Sequence, residues 1–592
     1  MKRVADCVIE KIQKAGAEHV FFVPGGGCKG IVDALAKNEN IRAISLNHEQ
    51  AAGMAALTYA QITGKIGVCV VTTGCGGTNA ITALLHAYQD SIPCVFISGQ
   101  VEYKYTIRNS GLKLRQFGRQ EANIIEIVSS ICKYAVTLTN SQEAIYEMEK
   151  AIAIAQSGRK GPVWIDIPLN IQADLIDLEQ VRKYCGEKEH IILKEEDVQY
   201  IVDELSKSER PIILAGNGIK LGGAAELFNN FIEKYKLPVV YSRLGNDILD
   251  SSSPYSIGMV GSVGASRSGS FAIQNADFVL AFGCRLSPST TGYDYERFVR
   301  EGKIAVVDID EEEHKKQTVS IEKFIHADVK EILSDLFDRD IELRDISKWR
   351  DKCLHWKNVM PILPEKEFSD EQIDMYQLAG EISNVMPEDV ILICDAGNAF
   401  YIGTTGFEFH SKQTCITSGG QAEMGYALPG AIGASFATER PILVFCGDGS
   451  IMMNLQELAT VKYYNIPMVI VIVSNNGYSC IKKQHMADYR RYIGCDASGG
   501  LGLPSFERIA YGFEIDYLKI SDKKEIASII TKAFSMKRPV IVEAFCKENQ
   551  NFLSVSLKKN KKRRFFVSPI EDQAPFLDQD VFEKEMIIKP IE

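Results

Sequence analysis

The sequence predicts an α/β chain of three doubly wound parallel-sheet domains, and three observations point to it. Short apolar runs alternate with helix-like stretches, the pattern of parallel strands joined by crossover helices. These runs fall into three groups, separated by polar stretches at 185–197 and 361–370. The length of 592 residues suits roughly three to four domains at about 150 residues each.

Taken in order, the first group has runs at 20–23, 41–46, 67–71 and 94–98 and closes near Val163-Trp-Ile-Asp-Ile-Pro168. Its expected domain is 1–172. The second begins at Pro211-Ile-Ile-Leu-Ala-Gly216 and adds runs at 278–282 and 304–309, for a domain at 190–345. The third has runs at 390–394, 442–446, 468–473 and 539–544, for a domain at 366–550. The remaining tail, 551–592, carries a basic cluster at 558–564 and lacks clear periodicity. Such a cluster reads as solvated surface or as cover for an active-site edge.

Composition narrows the function class. Hydrophobic residues make up 46% and charged residues 24% of the chain, as in ordinary globular proteins. A formal charge of −11 leaves no overall basic face, which argues against nucleic acid as a partner. Fifteen cysteines without a CxxC pair argue against a zinc site or a disulfide framework. Cys69, Cys94, Cys394 and Cys446 lie inside apolar runs, where a thiol behaves as a small hydrophobe. No run approaches the ~20 apolar residues that span a bilayer, and the start of the chain reads as an amphipathic helix. The expected location is cytoplasmic.

The most informative motif is Gly447-Asp448-Gly449, followed by Asn475-Asn476. Each group ends an apolar run, and ends of neighbouring parallel strands meet at the carboxyl edge of a sheet, where open α/β folds bind ligands. Asp448 and Asn475 can there offer two hard oxygens to one divalent cation. Magnesium takes one or two such ligands and completes its octahedron with phosphate oxygens and water.

With this pairing the chain resembles the thiamine-diphosphate enzymes of the acetolactate synthase (acetohydroxyacid synthase large subunit) type. The resemblance covers roughly residues 1 to 550. It is carried by Phe22-Val-Pro-Gly-Gly26, His48-Glu-Gln-Ala-Ala52, Thr72-Thr-Gly-Cys-Gly-Gly-Thr-Asn79, Asp90-Ser-Ile-Pro93 and Ile97-Ser-Gly-Gln-Val101. It continues through Ser157-Gly-Arg-Lys-Gly-Pro162, Met424-Gly425, Gly447-Asp-Gly-Ser450 and Asn454-Leu-Gln-Glu-Leu458. The resemblance implies pyrimidine-binding, middle and diphosphate-binding domains. It also implies a homodimer or homotetramer with active sites at the subunit interface.

It further implies roles, residue by residue. Glu49 matches the glutamate that hydrogen-bonds the cofactor's pyrimidine and drives formation of the ylid. Its small apolar neighbours would raise its pKa. Local sequence equally allows a plain helix start, with Asn47 as N-cap and Gln50 at the third position. Met424 matches the wedge that bends the cofactor into a V, and core filling is the alternative. Asn398 and Ser450 would hydrogen-bond the diphosphate, flanked by Gly447 and Gly449, although an Asx turn also explains Asn398. Magnesium would take Asp448, Asn475 and the carbonyl of Gly477. Gln120 and Gly26 match positions facing the reacting keto acid. Family members that make acetolactate biosynthetically bind FAD in the middle domain, where Gly216, Gly218, Gly283, Arg285, Asp308 and Asp328 stand at matching places. Glycine turns after strands serve any doubly wound domain, so FAD is a candidate second cofactor.

The departures fall at substrate positions. Arg119 stands where the family has phenylalanine, Leu169 where it has lysine, and His485 near an acceptor-selecting tryptophan, beside Lys482 and Lys483. The expected function is decarboxylation of a 2-oxo acid, with pyruvate the leading candidate, and carboligation of the two-carbon unit to a carbonyl acceptor. Alternatives are a specialised acceptor such as a nucleotide-linked keto sugar, simple decarboxylation, or a catalytically silent homologue.

Overall fold

The computed structural model describes residues 1–186, 191–360, 362–363, 368, 372–559 and 565–591. The linker expected at 185–197 lies partly outside the described residues, at 187–190. The linker at 361–370 and the basic cluster at 558–564 lie mostly outside them.

The described chain contains three six-stranded, all-parallel sheets. The first comprises β1 (His19–Phe22), β2 (Arg42–Ser45), β3 (Gly67–Val71), β4 (Cys94–Gln100), β5 (Tyr134–Thr137) and β6 (Val163–Pro168), in the order β2-β1-β3-β4-β6-β5. The second comprises β7 (Pro211–Ala215), β8 (Val239–Tyr241), β9 (Ser256–Met259), β10 (Phe278–Phe282), β11 (Lys303–Asp308) and β12 (Lys323–His326), in the order β9-β8-β7-β10-β11-β12. The third comprises β13 (Ile391–Cys394), β14 (Thr414–Ile416), β15 (Ile442–Gly447), β16 (Met468–Ser474), β17 (Asp516–Ile520) and β18 (Val540–Phe545), ordered β14-β13-β15-β16-β18-β17. Thus the first and third sheets share one topology and the middle sheet has another. Interior strands such as β3, β4, β10 and β16 are buried on both faces, which is why they read as unbroken apolar runs.

Two helices join the outer sheets. Helix α1 (Glu49–Thr63) packs on α2 (Ala427–Ala437) so closely that a Cβ on Gly433 would lie 2.0 Å from the Ala55 carbonyl oxygen. Thr58 and Tyr426 share a hydrogen bond across the same contact, 2.7 Å. The tail is built into the middle segment, which its weak periodicity did not suggest. Arg267 donates to the carbonyl of Gln573 (3.2 Å), Gln573 donates to that of Gly261 (2.6 Å), and Phe582 meets Phe271 edge-on. Among the described residues no helix is long and apolar enough to cross a membrane.

Candidate active site

At the third sheet's carboxyl edge, Gly447 of β15 lies beside Val473 of β16, so the turns after both strands share one space. Asp448 is buried there. Its Oδ1 accepts from the Gly449 amide (2.7 Å), and its Oδ2 accepts from Asn475 (3.0 Å) and Gly477 (3.1 Å). Burial pushes its pKa up, against the pull of these amides. Gly477 has φ +108°, and a Cβ there would lie 2.4 Å from the Cys495 carbonyl oxygen, so only glycine fits this turn. The side chains of Asn475 (3.0 Å) and Asn398 (2.8 Å) both donate to Ser479 Oγ, at the start of α3 (Ser479–Tyr489). Asn398 Oδ1 is buried without a partner. Ser450 is buried beside them, its amide on the Gly447 carbonyl at 3.1 Å.

One carboxylate with neutral amide and carbonyl oxygens fits a magnesium ion carried by a diphosphate better than an all-protein metal cage. Consistently, no group of three His, Cys, Asp or Glu side chains suited to a metal occurs among the described residues.

Met424 sits half-buried on the turn before α2, away from the fully buried core that the filling alternative would need. The turn is pinned by Asp395 at the end of β13, which accepts from the amides of Gly425 (2.9 Å) and Ala427 (3.0 Å). Burial raises Asp395 to about 6 despite these bonds. Asn454 donates to the Gly425 carbonyl (2.8 Å) and reaches Gln50 Oε1 at 3.3 Å.

The first sheet gathers the other candidates at its own carboxyl edge. Helix α1 starts at Glu49, with His48 as its N-cap: the imidazole Nδ1 accepts from the Gln50 amide at 3.1 Å. This corrects the expected Asn47 cap, because Asn47 instead donates to Thr460 Oγ1 at 3.0 Å. Glu49 is half-buried, and its Oε2 accepts from Asn79 at 2.9 Å. Asn79 ends the 72–79 turn, which also holds the Gly27 amide on Thr72 Oγ1 at 3.1 Å. Gly26 faces open space. Gln120 has φ +62°, and its carbonyl packs so tightly on Gly74 of the same turn that a Cβ there would lie 2.1 Å away.

Sequence reasoning missed several groups. Asn79 and Ser479 are ordinary polar residues whose importance lies only in their tertiary partners. Asp166 is fully buried on β6, accepting from Ser98 Oγ at 2.6 Å and Gln100 Nε2 at 3.3 Å, and burial raises it to about 7. An aspartate inside the apolar run Val163-Trp-Ile-Asp-Ile-Pro168 was the available signal. His86 is buried with Nδ1 2.7 Å from Glu423 and Nε2 3.2 Å from Asp90. Burial opposes its charge, but the two carboxylates outweigh it and raise its pKa to about 10.

A cavity of about 470 Å³ opens where the three segments meet, and Gly218, Gly283, Arg285, Asp308 and Asp328 line it. Gly216 lies behind this lining, its amide donating to the Phe282 carbonyl at 2.9 Å. Arg159 crosses from the first segment to Asp310 and Glu313, both at 2.9 Å. Arg285 lies 3.4 Å from Glu313, whose pKa stands at about 2 because Lys316, Arg285 and Arg159 outweigh its burial. The cavity suits a drug-sized ligand, and its mix of glycine turns, apolar walls and both charge signs fits a dinucleotide.

At the substrate positions, Arg119 is exposed and Leu169 opens a short helix after β6. His485 is half-buried on α3 and meets Tyr489 edge-on. Lys482 is compensated by Asp496 at 2.6 Å, and Lys483 donates a hydrogen bond to the neutral side chain of Asn551. The positive charge expected after Asn475 is therefore already engaged.

Comparison with known proteins finds likeness along most of the chain. Three family models match: the thiamine pyrophosphate enzyme N-terminal TPP binding domain over residues 2–120, the central domain over 198–336 and the C-terminal TPP binding domain over 395–544. Similar proteins include the acetolactate synthase large subunit of Lactococcus lactis, 29% identical over 92% of this chain and 93% of that protein. The probable acetolactate synthase large subunit of Methanocaldococcus jannaschii is 30% identical, over 91% of each chain. The acetolactate synthase isozyme 1 large subunit of Escherichia coli K12 is 29% identical over 91% of this chain and 93% of its own.

Proposed function

Since the chain belongs to the thiamine pyrophosphate enzymes of the acetolactate synthase large-subunit type, we propose that it joins the two-carbon unit of pyruvate to a carbonyl acceptor, with a second pyruvate as the default acceptor. It is a thiamine-diphosphate-dependent enzyme of decarboxylation and carboligation. The observation that carries the finer reading is Asp448, buried between two neighbouring strand ends with the backbone amides of Gly449, Asn475 and Gly477 donating to its carboxylate.

When bound, the cofactor supplies a carbon nucleophile for the 2-oxo acid and a cationic ring that draws electrons as carbon dioxide leaves. In our reading Asp448, Asn475 and the Gly477 carbonyl hold Mg2+, while Asn398 and Ser450 take the diphosphate between Gly447 and Gly449. Met424 would support the bound cofactor from the turn before α2, where alignment in advance lowers the barrier. Glu49 would share a proton with the cofactor's pyrimidine ring, and Asn79, its hydrogen-bond donor, would hold that carboxylate in direction. Gln120 and Gly26 face the reacting keto acid. The cavity between segments would hold FAD against Gly218, Gly283, Arg285, Asp308 and Asp328, with Gly216 shaping the turn behind.

The working unit is a homo-oligomer in which Glu49 of one subunit meets Met424 and Asp448 of another. Supporting this, exposed apolar side chains follow Asn475 on α3: Ile481, Met486 and Tyr489. We place the enzyme in the cytoplasm on the composition of the chain.

The test is incubation with thiamine diphosphate, Mg2+ and pyruvate alone, following carbon dioxide and products by NMR. Acetolactate supports the default acceptor, whereas acetaldehyde as the main product favours simple decarboxylation. Absence of carbon dioxide release overturns the reading.

A further inference from the structure

The 77 acidic residues outnumber the 66 basic ones in this chain, yet residues 103–120 carry Lys104, Arg108, Lys113, Arg115 and Arg119 and no acid. Lys104 is paired with Glu102 at 2.8 Å. The other four are exposed, and among the described residues none of them makes an ion pair. Arg108 lies within the field of the buried Asp166 carboxyl without bonding to it.

This arm has a defined shape. The buried Glu121 carboxylate closes it at both ends, accepting from the amides of Ile107, Phe117 (2.9 Å) and Gly118 (3.1 Å). Thr106 Oγ1 accepts from the Asn109 amide (3.2 Å) and the Ser110 hydroxyl donates to the Ile107 carbonyl (2.8 Å), tightening the first turn. The arm ends at Gln120, whose carbonyl rests on Gly74 of the turn that directs Glu49 through Asn79. Four uncompensated cations thus stand on a pinned loop leading to the candidate substrate edge.

We infer that this arm binds a second class of acceptor beside pyruvate, one that carries phosphate charge. The inference rests on the carboligase reading above and assigns the acceptor's class. A 2-oxo acid has one carboxylate, which a single cation or a few amides can hold. Four like charges carried on one short loop repel one another, so they favour a ligand with clustered negative charge. Arginine forks match phosphate oxygens two at a time. A phosphorylated or nucleoside-diphosphate-bearing carbonyl compound meets both conditions. Lys482 and Lys483, already engaged elsewhere, do not.

The experiment uses the full chain saturated with thiamine diphosphate and Mg2+, so that the cofactor's own diphosphate site is filled. Binding of UDP and of inorganic pyrophosphate is measured by calorimetry for wild type, Lys113→Gln/Arg115→Gln and Arg108→Gln. Carboligation of pyruvate to glyceraldehyde 3-phosphate is compared with carboligation to glyceraldehyde. The expected result is UDP binding that weakens at least tenfold in the double variant and falls steeply with salt, with a matching rise in KM for the phosphorylated aldehyde alone. UDP binding without pyrophosphate binding would assign the nucleoside a share, and equal binding would assign recognition to phosphate; either outcome supports the inference if the variants weaken it. UDP binding unchanged by the variants would overturn it, as would loss of the oligomer in the double variant on size-exclusion chromatography, since the cations would then pair with a second copy. Carbon dioxide release from pyruvate reports separately on the carboligase reading, because none of these side chains is assigned to the reacting atoms.

Discussion

The first and third sheets have the same strand order, yet their carboxyl edges differ in readiness. In the third, Asp448 is buried with three amides on its carboxylate, and Asp395 fixes the Met424 turn through two more. In the first, Glu49 is half-buried, with Asn79 as its hydrogen-bond partner. One topology therefore serves two purposes. The third edge is a preorganised anchor, as a charged ligand and metal require. On the proposed reading, the first leaves its acid free to approach a ring and exchange a proton.

The contrast breaks most visibly at Glu49. Glu49→Ala should lower turnover by about 10²–10⁴-fold, the usual worth of an acid–base group, with far-ultraviolet circular dichroism unchanged. Exchange of the thiazolium proton, followed by NMR, should collapse in parallel while cofactor affinity holds; unchanged exchange would remove Glu49 from its role. Asp448→Ala should do the converse, weakening magnesium-dependent cofactor binding by about a hundredfold or more in calorimetry. Asn79→Ala sharpens the first edge: losing one bond to a charged oxygen should slow proton exchange by about tenfold. Gly477→Ala should cost about 1–3 kcal/mol of stability in urea titrations, whereas Gly26→Ala, facing open space, should leave stability near wild type.

The smallest effect concerns pH. Asp166 has a folded pKa raised to about 7, above the ordinary ~3.9 of an unfolded aspartate. Its contribution is therefore fully present below about pH 4 and is lost as pH rises through 7. Asp166→Asn should flatten that part of the profile, shifting the difference in Tm between pH 5 and pH 8 by a few degrees. An identical profile would show that Asp166 is ionised throughout.

How much could be read in advance follows the same physical line. Interior strands announced themselves because both faces are buried. The strands β5, β12 and β17 did not, since each lies at a sheet edge and is half-exposed, without a continuous apolar run. β8, β9 and β14 are simply short. The positions of Glu49, Asp448 and Asn475 at the sheet edges were legible because each follows an apolar run. Ser479, joining two asparagines, and Asn79, steering Glu49, gained their roles from partners far away in sequence. The helix cap went to His48 rather than Asn47 because Thr460 and Glu457 claim Asn47 from the third segment. The charge of Lys482 read as free and is paired with Asp496, while of the cations of 103–120 only Arg119 stood out, because no motif marks the others.

The backbone contact of α1 with α2 at Gly433 has a wider consequence. Helix α1 begins at Glu49, and α2 follows directly from Met424. In an oligomer whose sites take Glu49 from one subunit and Met424 from the other, these two ends of a single chain serve different sites. With no room for even a methyl group between the helices, they turn together like meshed gears. A shift of Glu49 at one site would then be felt at the Met424 turn of the other, so the two sites would be mechanically coupled.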